Sequence, residues 1–223
     1  MKIEISNLGF RYRGRSFELR IPALTIASGE QLLISGSSGT GKSTLLRLIA
    51  GIHTPGEGVI RVNGEATADW GEKRRTHWRG CEVGFIFQDF RLVPYLNVRE
   101  NIRLPYRVQP SLHWDSKAED RRLHLLERAG IFHLERARVG ELSEGEKQRV
   151  AICRTLIHQP ALILADEPTG SLDETHRDAV IDLLLNESTR LGATLVLVSH
   201  DHSLRSRFER SLDLAECLAP PSS

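Results

Sequence analysis

Gly36-Ser37-Ser38-Gly39-Thr40-Gly41-Lys42-Ser43 fits the pattern G-x-x-x-x-G-K-[ST] in full. Glycines let a backbone wrap an anion, with successive N–H groups and the start of the next helix aimed at it. Lys42 adds a cation for the outer phosphates of a nucleoside triphosphate, and the Ser43 hydroxyl is placed to ligate Mg²⁺. With Thr44, the stretch forms a candidate phosphate cradle. A second concentration of chemistry closes the apolar run Leu162-Ile163-Leu164-Ala165, which ends in Asp166 and Glu167. Ligands of open parallel sheets bind beyond the carboxyl ends of the strands. Asp166 is therefore read as a Mg²⁺ ligand beside the cradle, and Glu167 as the residue that polarises an attacking water. His200 follows another apolar run, Leu195-Val196-Leu197-Val198, and can bridge water and phosphate. Adjacent acids favour hydrolysis over transfer to an acceptor.

These groups need a scaffold that brings several strand ends together, and the apolar patterning supplies one. Strands are expected around Ile3 to Leu8 and over Phe17 to Ile21, and Val59 to Val62 runs into the hairpin signal Asn63-Gly64. Gln31 to Ser35, Val83 to Phe87, Ala161 to Ala165 and Thr194 to Val198 are apolar enough to be covered on both faces. Helices are expected over Thr44 to Ala50, stopped by Gly51, and over Thr175 to Leu191. Between residues 88 and 158 the chain changes character. Lys117 to Ala129 has amphipathic spacing with Gly130 as its stop, and Glu146 to His158 reads as a second helix ended by Pro160. The pattern is an α/β sheet protein with a mostly helical insertion.

Composition bounds the rest. A chain of 223 residues makes one large domain or a core carrying an inserted subdomain. Apolar residues at 40% and charged residues at 26% mark it as globular. Thirty basic against twenty-nine acidic residues leave +1, so no global charge draws it to nucleic acid, and no nucleic-acid partner is expected. Lys73-Arg74-Arg75-Thr76-His77-Trp78-Arg79 is read as a solvated face. Cys81, Cys153 and Cys217 form neither a disulfide framework nor a zinc pattern. The N-terminus does not read as a signal peptide, and no apolar run approaches the ~20 residues needed to cross a bilayer. Any membrane role is expected to come through a partner.

Leu142-Ser143-Glu144-Gly145-Glu146-Lys147-Gln148-Arg149-Val150-Ala151 resembles the signature of ATP-binding cassette (ABC) ATPases, usually LSGGQ. Other landmarks of that family stand in its order: Gln88 after a strand looks like the Q-loop, Ser171-Leu172-Asp173 like the D-loop, and Val198-Ser199-His200-Asp201 like the H-loop. Tyr12 resembles the aromatic that stacks on adenine, with Phe10 as the alternative. The likeness runs from about residue 3 to 215. The stretches Ala165 to Asp173 and Gly84 to Pro94 look most like the lipoprotein-release, macrolide-export and cell-division ATPases (LolD-, MacB- and FtsE-like).

The resemblance implies a P-loop NTPase of ABC type: a mixed sheet core (1–87 and 159–215), a helical signature subdomain (about 88–158), an N-terminal antiparallel β subdomain and a tail (216–223). It implies ATP and Mg²⁺, with the metal on Ser43, Asp166 and Gln88. Catalysis falls to Glu167 and His200 with Gln88 and Lys42. It also implies a homodimer in which Ser143 and Gly145 of one chain complete the other chain's site, and it adds Asp173 to the nucleotide-binding residues. An integral membrane permease subunit is the expected partner, holding the chain at the cytoplasmic face of the cytoplasmic membrane. That partner's cytoplasmic helix would be received near the Q-loop, where Phe90, Leu92 and Tyr95 are candidate anchors. Export, lipoprotein extraction and cell-division-type signalling stay open. A soluble repair or translation ATPase is disfavoured, because the chain has neither a long coiled-coil insertion nor a second cassette. Glu144 stands where the family has glycine and Glu146 where it has glutamine. A carboxylate there is expected to turn away from phosphate or to pair with Lys147 or Arg149.

Overall fold

The computed structural model describes residues 1–14, 17–170 and 174–218, with the backbone alone at 174–176. Asp173, with Ser171 and Leu172, lies outside the described residues. In chain order, β1 (Ile3–Arg11) and β2 (Glu18–Ile26) pair antiparallel, and β3 (Gln31–Ser35) leads into α1 (Lys42–Ile49). β4 (Glu57–Val62) and β5 (Glu65–Ala66) return to β1, and α2 (Glu72–Glu82) then enters β6 (Val83–Ile86). Three helices follow: α3 (Val98–Val108), α4 (Ser116–Arg128) and α5 (Glu144–Leu156). β7 (Leu162–Asp166), α6 (Glu174–Leu191), β8 (Thr194–Ser199), β9 (Arg210–Asp213) and α7 (Leu214–Cys217) complete the described chain.

The strands divide between two sheets. One is antiparallel in the order β2-β1-β4-β5, and the other runs β6-β7-β8-β3-β9 with every pairing parallel. Alternation along the parallel strands builds two cores. Leu32, Ile34, Leu162, Leu164, Val196 and Val198 face the antiparallel sheet and α1. Leu33, Ile163, Ala165, Leu195 and Leu197 face the core shared with α3, α4, α5 and α6. Strands covered on both faces need apolar residues at nearly every position, which is why these runs lack polar alternation. Ser35 lies level with Ser199, and Asp166 with Val198. The carboxyl ends of β3, β7 and β8 are thereby side by side.

α2, α3, the short α7 and β9 were not expected from the sequence. α2 occupies the basic stretch: Lys73 and Arg74 are exposed as a solvated face should be, but Trp78 is buried and meets Trp70 edge-on at 5.3 Å. α3 runs through Pro105, a residue that argues against a helix interior. A capping box between Asn97 and Glu100 and burial of Val98 and Ile102 outweigh it. β9 has no apolar alternation and stands by pairing with β3, helped by an Arg210–Glu30 ion pair of 2.8 Å.

His158, just past α5, gives the fold a pH signature. Burial pushes its imidazole pKa down to about 4, with the Val83 backbone offsetting part of the effect. The unfolded chain therefore takes up this proton first as pH falls. The stability involved is whole above about pH 6.5 and is lost as pH drops towards 4. His158→Leu is expected to remove that loss, about 3 kcal/mol across the window. Urea midpoints of both proteins at pH 7, 5.5 and 4 check it, and equal slopes would refute it.

Candidate functional site

The loop 36–41 leaves β3 and feeds α1, and its last glycine is sterically required. Gly41 sits at φ 102°, and a Cβ there would meet the Phe17 ring at 2.7 Å. No side chain caps the start of α1, so its first-turn N–H groups remain available to an anion. Lys42 is buried and folds back over the loop. Its Nζ donates to the Gly36 carbonyl at 2.7 Å and the Ser37 carbonyl at 3.0 Å, and lies 3.6 Å from Glu167 Oε1. Thr40 tightens the turn by donating from Oγ1 to the Ser37 carbonyl at 2.9 Å.

The acids arrive from β7. The Ser43 hydroxyl donates to Asp166 Oδ1 at 2.8 Å, pairing two oxygen ligands of the kind a hard divalent cation takes. Burial pushes the Asp166 carboxyl pKa up, against the pull of that hydrogen bond. Glu167 turns at φ 47°, a left-handed conformation uncommon for a side-chain-bearing residue. Its N–H still donates to the Val198 carbonyl at 3.0 Å, so the sheet fixes the bend. His200, beyond β8, places Nδ1 3.0 Å from Glu167 Oε2. Glu167 thus lies between the Lys42 ammonium and the His200 imidazole.

Gly41, Lys42, Ser43, Glu167 and His200 line a cavity of about 590 Å³ together with Ser38, Gly39, Thr44, Gln88, Tyr12 and Phe17; Asp166 does not line it and meets it through the Ser43 hydroxyl. The Tyr12 hydroxyl lies 3.2 Å from Thr44 Oγ1, which ties the aromatic to the first turn of α1. Phe10 stacks on His53 at 5.3 Å and does not line the cavity, so the geometry favours Tyr12 of the two aromatics. Phe17 is a lining residue that sequence reasoning missed, since its place in the alternation Phe17-Glu18-Leu19-Arg20-Ile21 made it look like plain strand.

Ser143 and Gly145 do not line this cavity. They begin α5, where Ser143 is exposed as the N-cap and Gly145 is buried. Glu146 closes a capping box: its Oε2 accepts from the Ser143 N–H and hydroxyl, both at 2.8 Å, which holds its carboxyl below the usual range. Glu144 pairs with Lys147 at 2.8 Å. A second cavity of about 470 Å³ lies between the two regions, and Gln88 and Glu167 line both.

The loop after Gln88 is held by residues that sequence reasoning missed. The buried Asn101 side chain accepts from the Val93 N–H at 2.8 Å and donates to the carbonyls of Val93, Leu96 and Asn97. Arg154 donates to the carbonyls of Phe90 and Arg91, both at 2.6 Å. Of the candidate anchors, Leu92 packs against the helical core, Phe90 is half-buried and Tyr95 is 81% exposed. An apolar groove of about 310 Å³ lies elsewhere, between α2, α3 and α5, lined by Phe85, Phe87, Leu104, Pro105 and Val108 with Arg79 and Arg91. None of the three anchors lines it. Among the described residues, no cluster of three or more His, Cys, Asp or Glu could hold a metal, and no helix is long and apolar enough to cross a membrane.

Comparison with known proteins agrees with this geometry. The family model described as "ABC transporter" matches residues 19–170. A lipoprotein-releasing system ATP-binding protein LolD of Hydrogenovibrio crunogenus is 40% identical, over 96% of this chain and 94% of its own length. An uncharacterized ABC transporter ATP-binding protein of Mycobacterium tuberculosis is also 40% identical, over 95% of this chain and 86% of its own. Among solved structures, the dimeric post-hydrolysis state of the cassette MJ0796 bound to ADP and Pi superposes with a TM-score of 0.83 at 31% identity, covering 95% of this chain and 94% of that one.

Proposed function

The chain belongs to the ABC transporter family, and from that premise we propose that it is the ATP-hydrolysing subunit of a membrane complex of lipoprotein-release type. The observation that carries the reading is the convergence of Lys42, Ser43, Asp166, Glu167 and His200 at adjacent strand ends, with Ser143 and Gly145 outside their cavity. Such a site is chemically complete except for donors to the far side of the terminal phosphate.

ATP fits the cavity on three grounds. The start of α1 is uncapped, Lys42 lies over the loop, and Tyr12 with Phe17 offers an aromatic wall. Ser43, Asp166 and Gln88 are the residues that would hold Mg²⁺, whose charge would offset the phosphates and the buried Asp166 carboxylate. Gly36 to Thr44 bind the phosphates through backbone N–H groups and the Lys42 cation. Glu167 takes a proton from the attacking water, and His200 orients the Glu167 carboxylate through Nδ1. Asp173 would join from the other chain, with Ser143 and Gly145. The place of Ser143 and Gly145 on the helical region makes a second copy, arranged head to tail, the natural source of the missing donors. The dimeric MJ0796 cassette supports that arrangement.

A membrane subunit is the partner. The groove of Phe85, Phe87, Leu104, Pro105 and Val108 would receive its cytoplasmic helix, since Val108 leaves 69% of its surface exposed and arginines edge the apolar floor. On this reading the chain is peripheral to the cytoplasmic face of the membrane, and its relatives named LolD favour lipoprotein extraction as the task. Tagged chain extracted in mild detergent from its own organism's membranes is expected to co-purify with one integral membrane protein, and Val108→Asp is expected to release it. Absence of such a protein, or its retention by Val108→Asp, would refute this docking.

A further inference from the structure

Arg154 has no place in the chemistry above, yet its surroundings are unusual. It lies on α5, the helix that Ser143 caps, and is half-buried. Among the described residues it meets no carboxylate within ion-pair distance, and burial lowers its pKa to about 10. A cation is costly to bury without a counter-charge unless its donors are fully engaged. Here they engage two carbonyls, those of Phe90 and Arg91, at 2.6 Å each. Both residues adopt left-handed backbone, at φ 58° and 51°. Consecutive side-chain-bearing residues visit that region rarely, so the turn needs something to hold it. The turn begins two residues after Gln88, which lines both the phosphate cavity and the cleft towards the signature.

We propose that Arg154 is a positioning residue that ties the turn after Gln88 to the signature helix and so sets where Gln88 stands between the two cavities. The inference rests on the reading of Gln88 as a site residue. Ser143 and Arg154 share one rigid helix, 11 residues and about 16 Å apart. The guanidinium therefore fixes the turn after Gln88 relative to the helix that Ser143 caps. The guanidinium meets the two carbonyls with two separate nitrogens held in one plane, whereas a lysine ammonium would bring a single nitrogen with no fixed plane.

The test compares Arg154→Met, Arg154→Lys and Gln88→Ala in steady-state ATP hydrolysis by the full chain. Methionine fills similar volume without charge, so the fold is expected to survive, which thermal unfolding checks. Arg154→Met is expected to lower kcat about tenfold or more with KM within about threefold, and Arg154→Lys to restore part of the loss. Combined with Gln88→Ala it is expected to add nothing, since both changes act through one group. Additive losses, equal losses in the Met and Lys variants, or a kcat near wild type in Arg154→Met would each overturn the role. If Gln88→Ala itself leaves kcat unchanged, the underlying reading of Gln88 fails, and the positioning role falls with it.

Discussion

Lys42→Ala is expected to lower ATP hydrolysis at least about a hundredfold, the scale of losing a preorganised charge that stabilises phosphoryl transfer. Lys42 is the cation nearest Glu167, at 3.6 Å, and its Nζ is fixed by two loop carbonyls instead of ranging through solvent. The alanine variant would lose the countercharge to the terminal phosphates. It would also leave Glu167 and phosphate facing each other as like charges, and strand the Gly36 and Ser37 carbonyls. The two effects act together, so affinity for ATP is expected to fall along with turnover. Phosphate release at saturating Mg-ATP measures the first, and fluorescent-nucleotide titration the second. Turnover within about tenfold of wild type would sink the assignment of this loop as the phosphate site.

The second large effect separates binding from chemistry. Glu167→Gln keeps the side chain's shape and the backbone bond to Val198, and an amide oxygen can still accept from His200. What it removes is the base. Hydrolysis is expected to fall by about 10²–10⁴, the usual contribution of a positioned general base. ATP should stay bound, because the loop, Lys42, Ser43 and Asp166 are untouched. With ATP held and not consumed, the chain is expected to accumulate as a dimer in Mg-ATP. Sedimentation at high protein concentration reads it directly. A chain that remains monomeric while saturated with ATP would exclude the head-to-tail site, and a Glu167→Gln enzyme with wild-type turnover would move the base to another residue. His200 is the first alternative, given its 3.0 Å contact.

Much of this was legible from local sequence. A phosphate loop is one contiguous stretch, and its glycines, lysine and serine work by backbone geometry set within a few residues. Strands buried on both faces announce themselves as apolar runs, so the β7 and β8 ends carrying Asp166, Glu167 and His200 are placed by the sequence alone. The helix expected from Glu146 starts at Glu144, because Ser143 caps it through Glu146, a local role hidden while Ser143 is read only as a phosphate contact. What only the tertiary structure decided has long-range causes. α3 persists through Pro105 because its apolar face is buried, and β9 exists because β3 offers it hydrogen bonds; neither is a local preference. The left-handed bend that sets Glu167 between Lys42 and His200 follows from sheet register. The grip of Arg154 on the loop after Gln88 joins residues more than 60 positions apart. Local periodicity carries no information about such pairings, because it reports which faces are buried and not what they are buried against.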